Sequence, residues 1–341
     1  MKDLRNSGER VFCMSVIKIA MLVFLVSAIN LVNFSARAYG QEDACSETSK
    51  FARTACYNSA KEVYHLALGK CENVAEGKQD VCKADAMEEF KSSLEECNEQ
   101  FAARQEVCEE VGPGPYLPRG IRPFTFVSVP DGNDYFPLKP GTTYTYKSFD
   151  SKNEITETVV VQVQSKTRPI LGVACRVVQD TVYEGDSQDK KIEDTTDWYA
   201  EDKLNIVWYF GEIAQNFNEE GILENIDGSW TAGVEGAKPG IIMFADPGIH
   251  IGKTYRQEFA LGEAEDVAKI IEIVNQLPAL PAGVCLPASV KGPYLHTQDF
   301  SALEPGVVED KYYAPGVGVV LVIAPDGTKE VLVKMEQRGC W

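Results

Sequence analysis

Residues 193–210 read EDTTDWYAEDKLNIVWYF, and residues 307–323 read VVEDKYYAPGVGVVLVI. Each stretch starts acidic, reaches an aromatic pair followed by alanine (Trp198-Tyr199-Ala200 and Tyr312-Tyr313-Ala314), turns, and re-enters an apolar run. β-Branched and aromatic residues suit a pleated, half-buried surface, so each stretch reads as two strands joined by a turn. Two more landmarks repeat in order. Gly141-Thr142-Thr143-Tyr144 recurs as Gly252-Lys253-Thr254-Tyr255, and Cys175 follows Gly141 by 34 residues as Cys285 follows Gly252 by 33. The spacing predicts a duplicated, mainly antiparallel β domain over 124–341, with repeats at about 135–215 and 248–335 of four or five strands each. A curved sheet, a sandwich and a partly open barrel all satisfy it. Cys175 and Cys285 would occupy equivalent strands, either bonded across the duplication or buried as thiols. Residues 220–247 have no repeat partner and read as an insertion, with a glycine-rich loop from Gly228 to Pro247 over one sheet face. Residues 263–276 carry a helical spacing (Val267, Ile270, Ile271, Val274), whereas IIEIV at 270–274 reads as strand and matches the first repeat.

Working outward, the Pro- and Gly-rich stretch 112–123 (GPGPYLPRGIRP) is a linker, and residues 41–111 form a different kind of chain. Cys45, Cys56, Cys71, Cys82, Cys97 and Cys108 alternate steps of 11 and 15 residues within an Ala-, Glu-, Lys- and Leu-rich segment that lacks proline. That composition is helical, and both steps lie near whole turns, so three cysteines share one stripe, with Ala52, Ala60, Val63 and Ala67. Cysteines eleven apart on one helix are ~16 Å apart, beyond disulfide reach. The bonds must therefore join two helices. An antiparallel hairpin turning near Glu76-Gly77, with Gly77 ending the first helix and Asp80 capping the second, gives the nested set Cys71–Cys82, Cys56–Cys97 and Cys45–Cys108. A register joining Cys56 to Cys71 and Cys45 to Cys82 remains open, although its turn would fall in residues without turn chemistry. Zinc knuckles and the haem-attachment motif are missing from the spacing, so no metal or cofactor is expected.

Residues 1–40 read as a signal peptide: basic Lys2, Arg5 and Arg10, an apolar run from Ile19 to Val32, and small residues allowing cleavage after Ala38 or Gly40. The expectation is a secreted or periplasmic protein, with an N-terminally anchored form facing outside as the alternative. The cysteine framework suits such a compartment, with Cys340 left free or intermolecular. The chain carries a formal charge of −18, and residues 1–40 hold five Lys/Arg against two Asp/Glu, so the rest is near −21. Such a surface repels nucleic acid and anionic membrane, and no stable membrane insertion is expected after cleavage. Partners are expected to be a small molecule, a lipid or a protein.

DWYAED (197–202), VWYFGE (207–212), LEPGVVE (303–309) and YYAPGVGVV (312–320) resemble phrases of uncharacterised exported bacterial proteins with paired β repeats. The resemblance covers roughly 135–325 and implies the β fold, with no particular activity. The expected fold class is thus α+β, a disulfide-stapled helical hairpin followed by the duplicated β domain.

Catalytic motifs are absent from the sequence. The histidines His65, His250 and His296 lack a neighbouring nucleophile motif, and no G-x-S-x-G, H-E-x-x-H or phosphate-binding loop occurs. No catalytic residue is assigned. The acidic turns Asp131-Gly132-Asn133-Asp134, Asp186–Asp189 and Asp326-Gly327 do not match the calcium-loop pattern. The aromatics on the repeated strands suggest a cleft for an apolar or amphipathic ligand, with Trp198, Tyr199, Tyr312 and Tyr313 as candidate lining. Adjacent strand residues face opposite ways, so the inward members should correspond: Trp198 with Tyr312, or Tyr199 with Tyr313. The reading is a non-enzymatic binding or assembly protein, with a purely structural or surface-interaction role as the alternative and a hydrolase or cation-binding protein behind both.

Overall fold

The computed structural model describes residues 43–118 and 121–337; the signal peptide expected at 1–40 and Cys340 lie outside the described residues. Two helices, α1 (Ala44–Cys71) and α2 (Gln79–Val111), run antiparallel and carry the disulfides Cys45–Cys108, Cys56–Cys97 and Cys71–Cys82. The helices close on small residues, with Ala52, Ala60 and Ala86 buried, and Tyr64 stacks on Phe90 at 4.8 Å. Val63 is exposed, against expectation. The fifteen-residue step overshoots whole turns by ~60°, so the seam rotates past it. The turn also differs in detail: α1 ends at Cys71, Gly77 belongs to the connection, and Asp80 is in the first turn of α2 as an acid near the helix N-terminus.

The hairpin is fastened to the β structure. Arg104 grips Glu265 through two near-parallel hydrogen bonds of 2.9 and 2.8 Å, and both side chains are buried. Glu110 accepts from Thr254 Oγ1 at 2.8 Å and Lys269 Nζ at 2.9 Å. Breaking the Arg104–Glu265 pair would cost about 3–5 kcal/mol, because the survivor would be a buried unpaired charge. The hairpin and the β structure thus belong to one compact unit. Among the described residues no helix is long and apolar enough to cross a membrane.

The strands are β1 (Thr142–Phe149), β2 (Ile155–Ile170), β3 (Val173–Glu184), β4 (Lys191–Glu201), β5 (Val207–Phe217), the short β6 (Leu223–Asn225) and β7 (Trp230–Thr231), β8 (Lys238–Met243), β9 (Thr254–Arg256), β10 (Glu258–Phe259), β11 (Asp266–Val274), β12 (Tyr294–Ser301), β13 (Val308–Ala314), β14 (Gly318–Ile323) and β15 (Lys329–Gln337). Thirteen of them pair antiparallel in the order β10-β8-β5-β4-β3-β2-β1-β15-β14-β13-β12-β11-β9, and β6 and β7 each pair with β5 off this path. β9 and β10 are two parts of one segment interrupted at Gln257, and they pair with opposite ends of the sheet. The sheet therefore curls into a nearly closed barrel. Gly240 permits the closure, since a Cβ there would meet the Gln257 carbonyl oxygen at 2.1 Å.

The duplication is written into the register. Tyr144 pairs with Val161, Val161 with Asp180 and Asp180 with Thr195; in the second half Tyr255 pairs with Ala268, Ala268 with Asp299 and Asp299 with Glu309. Each half contributes six strands where four or five were expected: β1–β5 with β8, and the β9–β10 segment with β11–β15. The additional strand of the first half is β8, inside the supposed insertion. It carries no recognisable echo because its role is backbone pairing with β5 and β10. Residues 266–274 are strand, as the repeat suggested and the helical spacing did not. The cysteine landmark fails. Cys175 is buried on β3, whereas Cys285 is an exposed thiol in the long connection between β11 and β12, and the two are unbonded.

Candidate functional site

The barrel wall is thick with apolar residues on both faces, because it is covered outside as well as filled inside. On the outer wall of the first half, Phe126 meets Phe210 edge-on at 5.6 Å, and Trp198, Cys175 and Trp230 pack in the same cluster. On the inner side a cavity of ≈450 Å³ remains. Tyr144, Tyr146, Val159, Val161, Val178 and Val182 supply apolar walls. Carboxyl groups of Glu157, Asp180, Asp197, Glu258, Asp266, Asp299 and Glu330 line the same space, with Lys311 as the lone ammonium among them.

One end is plugged by residues 131–138. Gly132 bridges to Pro137, and a Cβ on Gly132 would strike the Phe136 carbonyl oxygen at 2.1 Å. Asn133 is buried and donates to the carbonyls of Asn205, Met243 and Phe244, while Glu201 accepts the backbone N–H groups of Asp131 and Gly132. The acidic turn noted in the sequence is thus a structural plug.

The DWYAED and VWYFGE phrases are the two sides of the β4–β5 hairpin. Asp202 caps its turn by accepting from the N–H groups of Leu204 and Ile206 and from Trp208 Nε1 at 3.0 Å. Trp198 faces the outer cluster, where Arg168 lies 3.9 Å from its ring centre, and Tyr199 lines the cavity and stacks on Tyr209 at 4.7 Å. In the second half Tyr313 lines the cavity, while Tyr312 stacks on His296 at 4.5 Å. The inward pair is therefore Tyr199 with Tyr313. Both hairpins skip one residue in register beside these positions, a bulge that each repeat retains.

Tyr209 Oη lies 2.6 Å from Asp197 Oδ1 and 2.8 Å from Glu212 Oε2. A phenol has one proton to give, so one of the two carboxyls must supply its own and is neutral. The electrostatics agree. Burial pushes Asp197 up to about 7 and Glu212 up to about 8, the latter helped by repulsion from Asp197. Burial also lifts Glu330 to about 7 and holds Asp180 and Glu258 well above the carboxylate range. Asp180 Oδ1 is buried without a hydrogen-bond partner among the described residues. Lys311 behaves in the opposite sense. Burial pulls it down, but Asp299, Tyr313, Glu309 and Asp266 together outweigh that and keep its ammonium well above its ordinary value.

Sequence reading singled out the aromatics and missed these acids. Their signal was present: Val178, Asp180 and Val182 alternate on one face of β3, placing a charge on an otherwise apolar inner stripe. A His–carboxylate pair does exist, His296 Nε2 with Asp310 Oδ1 at 2.7 Å. Tyr312 stacks on the imidazole, Glu272 lies 3.7 Å from Nδ1, and Gln298 Nε2 donates to Asp310 at 3.2 Å. Among the described residues no cluster of His, Cys, Asp and Glu has the arrangement of a metal site.

No protein-family model matches the chain, and no curated protein matches it. Two crystal structures are similar. One, from Bacteroides fragilis NCTC 9343, is provisionally described as an exported protein with a YmcC-like fold; it is 12% identical, with a TM-score of 0.33, the match covering 60% of this chain and all of that one. The other, from Parabacteroides distasonis ATCC 8503, is provisionally described as a lipoprotein; it is 11% identical, with a TM-score of 0.32, covering 61% of this chain and all of that one. Likeness at this level carries neither fold nor function, which rest on the geometry above.

Proposed function

We propose that this chain is an exported, non-enzymatic binding protein whose barrel interior takes a small cationic amphiphile, an ammonium group on an apolar stem. The reading narrows the sequence expectation of an apolar or amphipathic ligand. One observation carries it. The register makes Asp180 the counterpart of Asp299 and Asp197 the counterpart of Lys311. In the second half Lys311 Nζ lies 3.3 Å from Asp299 Oδ2, and Asp299 also accepts from Thr297 Oγ1 and Gln257 Nε2. In the first half no cation occupies the corresponding place, and Asp180 keeps a buried oxygen without a partner among the described residues. A ligand ammonium there would supply what Lys311 supplies opposite, while Tyr144, Tyr199 and the valines receive its stem. Three disulfides in the hairpin support an oxidising compartment.

Isothermal titration with octylammonium at pH 8 tests the reading. Saturable one-site binding is expected, and Asp180→Asn should weaken it tenfold or more. Binding that is absent, or indifferent to Asp180→Asn, would remove the barrel interior as a cation site.

A further inference from the structure

A second cavity, of ≈370 Å³, lies outside the barrel, where the ends of α1 and α2 and the chain at 112–116 meet β8, β9 and β10. Its chemistry is the reverse of the interior's. In a chain of formal charge −18, this crevice is lined by Arg104, Arg256, Lys238 and Lys253, with Glu265 as the carboxylate among its lining residues.

Glu265 is already committed to Arg104 through the two bonds that dock the hairpin. Arg104 is 5% exposed, and its Nη1 has no hydrogen-bond partner among the described residues. Arg256 packs between Tyr116 and Phe259, at 5.9 and 5.2 Å from the ring centres, and its hydrogen-bond contact is the sulfur of Cys45 at 3.6 Å. Lys253 lies over the Phe244 ring at 4.6 Å. Among the described residues neither Arg256, Lys238 nor Lys253 has a carboxylate within ion-pair distance. Guanidinium groups on the lining of a crevice, with aromatic rings beside them, are the ordinary means of holding an oxyanion and the stem attached to it.

We infer that the crevice between the hairpin and the barrel is a binding site for a small anionic amphiphile, an oxyanion headgroup held by Arg256 and Arg104 Nη1 with its apolar stem against Phe259, Tyr116 and Phe244. The helical hairpin then has a role beyond stability, since it supplies one wall of the site and the deepest of its cations. The site is independent of the barrel interior, and either can fail without the other.

Titration of the intact oxidised protein with octanoate, and separately with inorganic phosphate, tests it. Octanoate should bind saturably, Arg256→Gln should weaken it tenfold or more, Lys253→Gln should weaken it a few-fold, and Asp180→Asn should leave it unchanged. Phosphate should compete weakly, which would mark the headgroup as the shared chemistry. Arg256 packs between Tyr116 and Phe259, so the melting temperature and helical circular dichroism of Arg256→Gln are measured beside the titration, and Lys253→Gln, whose ammonium lies over Phe244 alone, reads the same site if Arg256→Gln unfolds. No octanoate binding up to millimolar concentration, binding unaffected by Arg256→Gln, or phosphate binding as tightly as octanoate would each overturn the assignment.

Discussion

The two halves of the barrel share a register and differ in charge. Where the second half has Lys311, Val319 and Val322, the paired positions of the first have Asp197, Tyr209 and Glu212. Asp299 in one half is surrounded by a lysine, a threonine hydroxyl and a glutamine amide; its counterpart Asp180 faces other acids. Duplication alone would have given two equivalent interiors. The difference teaches that Asp299 has its cation within the chain, whereas Asp180, Asp197 and Glu212 lie near one another with no lysine or arginine paired to them among the described residues. A cation bound there would displace their protons into solvent.

The largest effect should come from removing the internal cation. Lys311→Met leaves Asp299 buried with Glu309 and no ammonium, so denaturant unfolding should show a loss of about 3–5 kcal/mol. A loss under ~1 kcal/mol would mean that Lys311 does not neutralise Asp299, and the contrast between Asp299 and Asp180 would lose its basis.

A smaller effect should appear in pH dependence. Asp197, Glu330 and Glu212 have folded values raised to about 7, 7 and 8. A raised carboxyl contributes stability that is fully present below its unfolded value near ~4 and is lost as pH rises through the folded value. The ligand-free protein should thus unfold more easily at pH 9 than at pH 5, by on the order of a few kcal/mol. The double variant Asp197→Asn, Glu212→Gln should reduce that slope measurably and leave the part due to Glu330, Asp180 and Glu258. A profile unchanged by the double variant would place the titrating groups elsewhere.

The contrast between halves also marks where sequence reading stops. The hairpin was legible because helical geometry and disulfide reach leave few solutions: regular 11- and 15-residue steps admit a nested ladder almost by arithmetic. The β repeats were legible from Trp198-Tyr199-Ala200 and Tyr312-Tyr313-Ala314, since alternation requires the inward members of the two pairs to correspond, although only the structure shows that they are Tyr199 and Tyr313. β8 was not legible, because a strand that closes a barrel needs backbone partners and small residues such as Gly240 more than it needs an echoing side-chain pattern. Nor was the match of Cys175 with Cys285 sound. A chain connection between β11 and β12 can hold a cysteine at similar spacing without placing it on a strand. The acids of the interior escaped notice because acidic residues are usual on a solvated surface, and only the register shows which of them point inward.

The central claim is that a ligand cation completes the first half as Lys311 completes the second. Its most direct test is a crystal structure of the octylammonium complex at pH 8. The nitrogen should lie within hydrogen-bond distance of Asp180, with Asp197 or Glu330 as its second partner and the alkyl stem along Tyr144 and Val161. A nitrogen found beside Asp299, in the crevice outside the barrel, or nowhere in the interior would contradict it.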